Sequence, residues 1–407
     1  MNCRHCEAPL HQVFLDLGHA PPSNAYLTLA ALQTPEVTVP LKLFVCSVCR
    51  LVQTQDYERP EKLFTADYAY FSSTSRSWMD HAARYAAMIT ERLGLAADSL
   101  VIEVASNDGY LLRNFVAAGI PCLGVEPTDS TAAAAEALGI PMMREFFGEA
   151  VARGLADGGR RADLICGNNV YAHVPDINDF TRGLCVALKP QGVVTLEFPH
   201  LMQLVEHCQF DTVYHEHFSY LSLTTVRRIF EKAGLRVFGV ENLPTHGGSL
   251  RVYGCRRDAG HVETPAVARA LHEEARRGVD TAAYYEGFQA RAEAVKDGLL
   301  TFLLDQKRAG KSIVGYGAAA KGNTLMNYAG IRPDLLPFIC DASPAKQNHF
   351  MPGSHIPILP PAALEAGRFD FVLILPWNIA DEVRQQLAHL EARGTRFVIA
   401  VPEVRVL

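Results

Sequence analysis

From residue 99 to the carboxyl end, short apolar runs alternate with longer amphipathic ones, and the alternation is played twice. Ser99–Val104, Pro121–Glu126, Ala162–Cys166 and Gly192–Glu197 read as strands, with Tyr110–Ala118 and the alanine-rich Thr131–Leu138 as helices between them. A second unit starts with the strand and glycine turn Ser312–Gly317. It opens a helix at Ala318–Thr324 and adds strands at Leu336–Asp341, Phe371–Leu375 and Phe397–Val401. The stretch 261–308 between the units is charged and alanine-rich, with apolar residues every three or four positions, which predicts helices. Strand and helix in alternation imply a parallel sheet covered on both faces. Ligands of such sheets bind beyond the carboxyl ends of the strands, where the strand order reverses.

The first segment is built differently. Cys3-x-x-Cys6 and Cys46-x-x-Cys49 form two pairs, and 39 residues lie between them. A CxxC turn presents two thiolates to one ion, and zinc closes its shell with four. Cys3, Cys6, Cys46 and Cys49 are therefore the expected ligands of a structural zinc, with a redox dithiol as the competing use. The second pair lies between two alternating apolar runs and predicts strand, knuckle, strand. Pro21-Pro22-Ser23-Asn24 marks a loop excursion in the long spacer. The six other cysteines are scattered singly among apolar neighbours, as small buried hydrophobes are. No apolar run reaches the ~20 residues of a spanning helix, and the polar start at Met1-Asn2-Cys3-Arg4 has no secretory character. The absence of such segments predicts a cytoplasmic protein, whose cysteines would be thiols or metal ligands rather than disulfides. The net charge of −6 argues against tight binding of nucleic acid or anionic membranes.

The turn after the first strand of the middle unit selects its ligand. Glu103-Val-Ala105-Ser106-Asn107-Asp108-Gly109 keeps only the last glycine of a dinucleotide fingerprint, and no phosphate-cradling lysine follows. An acidic strand end with a tight turn suits a cationic ligand better than a pyrophosphate. The next strand ends in Glu126-Pro127, where a carboxylate suits the two hydroxyls of a ribose. Together these point to S-adenosylmethionine, with Glu103, Ala105, Ser106, Asn107, Asp108, Glu126 and Pro127 as its candidate contacts. Asn168 and Asn169, at the end of a later strand, join this set, and His173 follows in the same loop.

Two further clusters carry chemistry. Tyr214-His215-Glu216-His217 packs titratable groups into an otherwise apolar stretch, an expensive arrangement to bury unless it works. General acid–base chemistry is the favoured reading, beside a metal-gripping His-x-His or a structural hydrogen-bond network. Tyr68-Ala69-Tyr70-Phe71-Ser72 is an aromatic, hydroxyl-rich loop at a domain junction, where ligand sites are common. In the last unit, the Gly-x-Gly turn, Lys321 and Asn323 open a helix where a phosphate could sit, and Asp341 ends the next strand where a ribose-binding acid belongs.

With these residues in view, the chain resembles the nucleotide-sugar C-methyltransferases, in particular the deoxysugar C-3 methyltransferases of the tetronitrose type. The likeness is carried by the two CxxC pairs, Tyr68-x-Tyr70-Phe71-Ser72-Ser, Glu103-x-x-Ser-Asn-Asp-Gly109 and Asn169-x-x-x-His173-Val-x-Asp176. It continues in Glu197-Phe-Pro-His200, the run Gln209–Tyr220, Thr245-His246-Gly-Gly-Ser-Leu-Arg251, Gly315–Asn323, and Asp341-x-Ser-Pro-x-Lys346. Ala105 stands where many relatives carry glycine, and Asn348 where glycine is expected. The resemblance implies an α/β chain of three parts. These are a zinc-binding domain over 1–74, a Rossmann-like class I methyltransferase domain over 75–256, and a second Rossmann-like, nucleotide-sugar-binding domain over 257–407. It also implies the roles. His217 would be the proton-abstracting base, supported by Tyr214 and Glu216, with Tyr68 and His173 at the sugar. Tyr70, Phe71, Ser72, His200, His246, Lys321, Asn323, Asp341 and Lys346 would contact a nucleotide-linked 4-keto-deoxyhexose, most simply a dTDP-sugar. The expected reaction methylates a ring carbon, C-3, through an enolate. The rivals are N- or O-methylation of a sugar, and a non-catalytic zinc-knuckle binding protein. A monomer is expected.

Overall fold

The computed structural model of the chain describes residues 1–55, 57 and 71–407. The expected contacts Tyr68 and Tyr70 lie outside the described residues. Those described form three sheets.

The amino-terminal sheet pairs β1 (Gln12–Ala20), β2 (Val39–Val45) and β3 (Val52–Thr54) in antiparallel fashion. As the spacing predicts, Cys46 and Cys49 sit in the knuckle between β2 and β3. Arg50 (φ 63°) there, and Glu7 (φ 65°) after the first pair, take the left-handed conformation that closes each turn.

The middle sheet contains β4 (Val101–Val104), β5 (Cys122–Val125), β6 (Met142–Met143), β7 (Ala162–Asn168) and β8 (Leu188–Pro199). A short β9 (Ser219–Tyr220) follows, then β10 (Leu235–Leu243) and β11 (Ser249–Arg256). The order is β10-β11-β8-β7-β4-β5-β6. The first five strands are parallel to one another, as the alternation implies. The expectation of a wholly parallel sheet fails at its end. β11 returns through the tight Pro244–Gly248 turn and runs antiparallel to both β10 and β8. The reversal is local because so short a connection can only form a hairpin. Strand order reverses between β4 and β7, which places the ligand crevice at their carboxyl ends. A helix over Arg76–Leu93 buries Tyr85, Ala86 and Ile89 on one face of this sheet, and Phe180 and Leu184 pack on the other.

The last sheet, β14-β13-β12-β15-β16-β17, is parallel except for its terminal strand. Its members are β12 (Ile313–Tyr316), β13 (Ile339–Cys340), β14 (Ile358–Leu359), β15 (Phe371–Ile374), β16 (Arg396–Ile399) and β17 (Arg405–Val406). Helices over Pro265–Arg277 and Phe288–Arg308 occupy the predicted charged stretch.

Two long-range features were not legible locally. β9, from within the histidine-rich run, pairs with β3 and becomes the fourth strand of the amino-terminal sheet. Leu15, Leu43 and Val52 of that sheet share one hydrophobic core with Phe210, Phe288, Ile313 and Leu373. The zinc-type segment is thus built into the molecule rather than tethered to it.

Candidate active site

A cavity of about 500 Å³ opens at the carboxyl ends of β4, β5 and β7. Its wall has three arcs. The first comes from strand-end turns: Ala105, Asn107 and Tyr110 after β4, Glu126, Pro127 and Thr128 after β5, and Asn168 and Asn169 at β7. The second is His173, Tyr214, Glu216 and His246. The third comes from the last unit, Ala319, Ala320, Lys321 and Lys346, with Asn24 reaching in from the excursion between β1 and β2.

The first arc is pre-set by hydrogen bonds. Glu126 Oε2 accepts from the Asn107 amide at 2.9 Å, and its Oε1 accepts from the Thr128 amide at 3.0 Å and hydroxyl at 2.6 Å. Asn168 is buried, yet neither its amide nitrogen nor its oxygen finds a partner among the described residues, and Asn169 Oδ1 is in the same position. Unpaired buried amides are costly, and a polar ligand would satisfy them. The predicted contacts Glu103, Ser106 and Asp108 do not line the cavity. Glu103 is wholly buried beneath it, and burial, with Asp108 and Glu126 nearby, pushes its carboxyl well above the usual range. Ser106 faces Met142, and Asp108 accepts from the Ser73 amide at 3.0 Å. Asn107 likewise accepts from the Ser72 amide at 2.9 Å, so this turn docks the domain junction as well as the ligand side. Ser72 lines the cavity and Phe71 does not.

In the second arc His173 and Tyr214 stand on the wall with His217 one layer behind them. The rings of His173 and Tyr214 lie 4.5 Å and 4.0 Å from that of His217. His217 Nδ1 lies 3.1 Å from the Thr212 carbonyl, so in the neutral ring Nδ1 carries the hydrogen and Nε2 the lone pair. Nε2 has no partner among the described residues. Burial holds the His217 imidazole well below its usual range, helped by His173, and takes His173 and His246 down to about 4. All three are neutral at pH 7. Glu216 presents both oxygens to Asn24 Nδ2, at 2.8 and 2.9 Å. His215 points away, its Nε2 3.2 Å from the Pro40 carbonyl, so the His-x-His pair does not converge on a metal.

In the third arc Lys346 reaches the Ala318 carbonyl at 3.0 Å, and Lys321 reaches Asn378 at 2.6 Å over the face of Trp377. Asp341 ends β13 as expected, but it accepts from the amides of Ala318 (2.7 Å) and Ser343 (2.8 Å) and shapes the glycine turn without lining the cavity. Asn323 is fully buried behind the wall. His200 is also off the site, in a buried pair with Glu274 at 2.7 Å, whose carboxylate caps the helix Leu223–Lys232 through Leu223 and Thr224.

Sequence reasoning missed Asn24 and Trp78. Asn24 carries no local signal beyond its loop. Trp78 is one of only two tryptophans in the chain. It stacks on His81 and Tyr110 and lies 5.1 Å from the His246 ring, as part of the wall. The other tryptophan, Trp377, donates its indole N–H to Asp211 at 2.7 Å. Rarity in composition was the one available pointer to both.

The four cysteine sulfurs all lie within 4.8 Å of one another, with Cys3–Cys49 and Cys6–Cys46 each at 3.5 Å. Tetrahedral zinc with bonds of about 2.3 Å puts its sulfurs roughly 3.8 Å apart, so the set fits the ion. Gln53 donates to Cys3 at 3.2 Å and the Val48 amide to Cys46 at 3.4 Å, the outer hydrogen bonds that thiolates need.

Comparison with known proteins agrees with this architecture. Residues 3–64 match a family described as a zinc binding domain, 77–239 a methyltransferase domain, and 244–402 the C-methyltransferase C-terminal domain. C-methyltransferase NovU of Streptomyces niveus is 34% identical over 372 residues, 91% of this chain and 88% of NovU. Solved structures that it resembles include magnesium protoporphyrin IX methyltransferase ChlM of Synechocystis PCC 6803 with bound SAH (15% identity, 44% of this chain, 82% of ChlM, TM-score 0.35). Another is the glycopeptide N-methyltransferase MtfA complexed with S-adenosyl-L-methionine (14% identity, 43% of this chain, 94% of MtfA, TM-score 0.35). A class I S-adenosylmethionine-dependent methyltransferase domain set between a zinc-binding domain and a second α/β unit defines the class of enzyme. Within it, the chain belongs to the C-methyltransferase family.

Proposed function

We propose that the enzyme methylates C-3 of a dTDP-linked 4-keto-deoxyhexose in branched-chain deoxysugar biosynthesis, in the cytoplasm. The observation that supports this most is the single cavity shared by all three parts of the chain, graded from acidic and amide groups, through neutral imidazoles, to two lysines. S-adenosylmethionine supplies an electrophilic methyl on a cationic sulfur, and its ribose diol suits Glu126, with Asn107, Asn168 and Asn169 around it. Lys321, Lys346 and the backbone at Ala319–Ala320 suit the anionic diphosphate of a nucleotide sugar. The C-3 assignment rests on the resemblance carried by the Tyr214–Tyr220 run.

Carbon methylation needs a carbanion equivalent, and a ketone makes the hydrogen on its neighbouring carbon acidic. On this reading His217, one layer behind His173 and Tyr214, takes that proton on Nε2, the nitrogen its bond to Thr212 leaves with the lone pair. A positioned base contributes about 10²–10⁴-fold. Tyr214 and Glu216 orient the reacting face, and His173 donates toward the developing enolate oxygen. The test is incubation with candidate dTDP-4-keto sugars and labelled methyl donor, followed by carbon NMR. A new quaternary carbon next to the carbonyl is the expected product, and an O- or N-methyl resonance would sink the reading. In parallel, His217→Ala should abolish solvent deuterium uptake at the sugar carbon while leaving donor affinity within about twofold. Uptake that survives in His217→Ala but is lost in His173→Asn would move the base to His173.

A further inference from the structure

The two segments that carry His173 and His217 meet at a residue of the zinc knuckle, and nothing in the reaction as described uses it. Arg4 lies between the ligands Cys3 and Cys6, and its guanidinium points away from the metal site. Nη1 donates to the Pro175 carbonyl at 2.7 Å, two residues beyond His173, and Nη2 donates to the Thr54 carbonyl at 3.0 Å. Thr54, at the end of β3, donates its amide to the Phe218 carbonyl (3.2 Å) and its hydroxyl to the His217 carbonyl (3.3 Å). The Phe218 amide closes the circuit on the Ala172 carbonyl at 2.8 Å, and the guanidinium sits 5.4 Å over the Phe218 ring. The Arg4 end is itself fixed. Its amide donates to Gln53, whose own amide reaches Cys3, and Asn178 donates to the carbonyls of Arg4 and His5.

We propose that Arg4 is a positioning residue, a two-pronged clamp from the zinc knuckle that sets the separation and tilt of His173 and His217. The geometry favours this over simple surface cohesion. The planar fork ties the Pro175 carbonyl of one segment to the Thr54 carbonyl, and Thr54 in turn holds the His217 and Phe218 carbonyls of the other, so it braces the two segments at a second point beyond the Phe218–Ala172 bond. A misplacement of about 1 Å at reacting groups can cost about 10²-fold in rate. The inference rests on the proposed roles of the two histidines for its effect on rate, but not for its effect on their geometry.

The experiment uses the full-length, zinc-loaded enzyme with Arg4→Met and Arg4→Lys. The lysine variant keeps the charge and the stem but has no fork, so it remains informative if the methionine variant does not fold. Zinc content should stay at one ion per chain and donor affinity within about twofold. Deuterium uptake at the substrate carbon should fall about 10–100-fold in kcat, with KM changed far less. In ¹⁵N-histidine NMR the His173 and His217 imidazole signals should shift or broaden in both variants, while His200 and His261 keep theirs. Unchanged imidazole spectra would overturn the proposal, as would zinc loss accounting for the whole effect. If the wild-type enzyme shows no deuterium uptake, the substrate reading fails, and the spectra still decide the clamp.

Discussion

Ala105 holds φ at 53° and Asn348 holds it at 63°, both in the left-handed region. These are the two places where glycine is expected by resemblance, and the backbone supplies the reason. The Ala105 turn must bring the end of β4 around to face Glu126, and an L-residue there costs about 1–2 kcal/mol. Asparagine tolerates this conformation far better than alanine does. Ala105→Gly should therefore raise stability by about 0.5–1 kcal/mol after the added freedom of the unfolded chain is discounted. Asn348→Gly should change it by less than about 0.5 kcal/mol. Denaturant unfolding of both variants checks the pair, and a destabilised Ala105→Gly would mean the Ala105 methyl packs more than it strains. Residue identity made the Glu126 position, the four cysteines and the His173–His217 cluster legible, because each is a chemical type at a spacing. Asn24 was not legible, since its partner Glu216 lies 192 positions away.

The decisive elements are the turns rather than the strands. The Pro244–Gly248 hairpin carries His246 on a positive φ of 54° and leads into Gly247, at φ 87°. A Cβ on Gly247 would stand 2.5 Å from the Trp377 ring and 2.8 Å from Gln209. That ring receives Lys321 on its face and hydrogen-bonds Asp211, which burial raises to about 6. Gly247→Ala should therefore displace the Trp377 ring on which the cavity residue Lys321 rests, lowering kcat at least about tenfold while the donor still binds. Titration calorimetry beside turnover separates the two effects. The neighbouring imidazoles set the pH response. Burial depresses the His217 pKa well below 6.5, so the basic form persists as pH falls from 8 to 6 and protonates only in more acid solution. Deuterium uptake should stay nearly flat from pH 8 to 6, and an acid limb centred near 6.5 would show that the base is solvated and ordinary. Strand and helix positions followed from apolar period, because each is decided within about ten residues. The antiparallel return of β11 and the capture of β9 by β3 did not, since pairing across domains leaves no local trace.

At the scale of the whole molecule, the zinc site is a keystone of assembly. Among the described residues the amino-terminal sheet has no core of its own. Leu15, Leu43 and Val52 pack into the apolar cluster that also holds Ile313 and Leu373, and the Cys46 knuckle with Leu51 packs into the cluster under the middle sheet. β3 also pairs with β9, directly after His217. Structural zinc contributes on the order of 10 kcal/mol of apparent binding energy in isolated knuckles, and here that energy is coupled to both α/β units. Removing the ion from the full chain with a chelator, under reducing conditions, should therefore lower the main calorimetric transition, on the order of 10 °C. A small separate melt at low temperature is not expected. Donor affinity measured below that transition should survive, because Glu126, Asn107 and Asn168 stand at the strand ends of the middle sheet. The histidine signals of His173 and His217 should change, because their segments are tied to the knuckle through Arg4 and Thr54. An early, independent melt with the main transition unmoved would show instead that the amino-terminal sheet is an appendage, whatever core it shares.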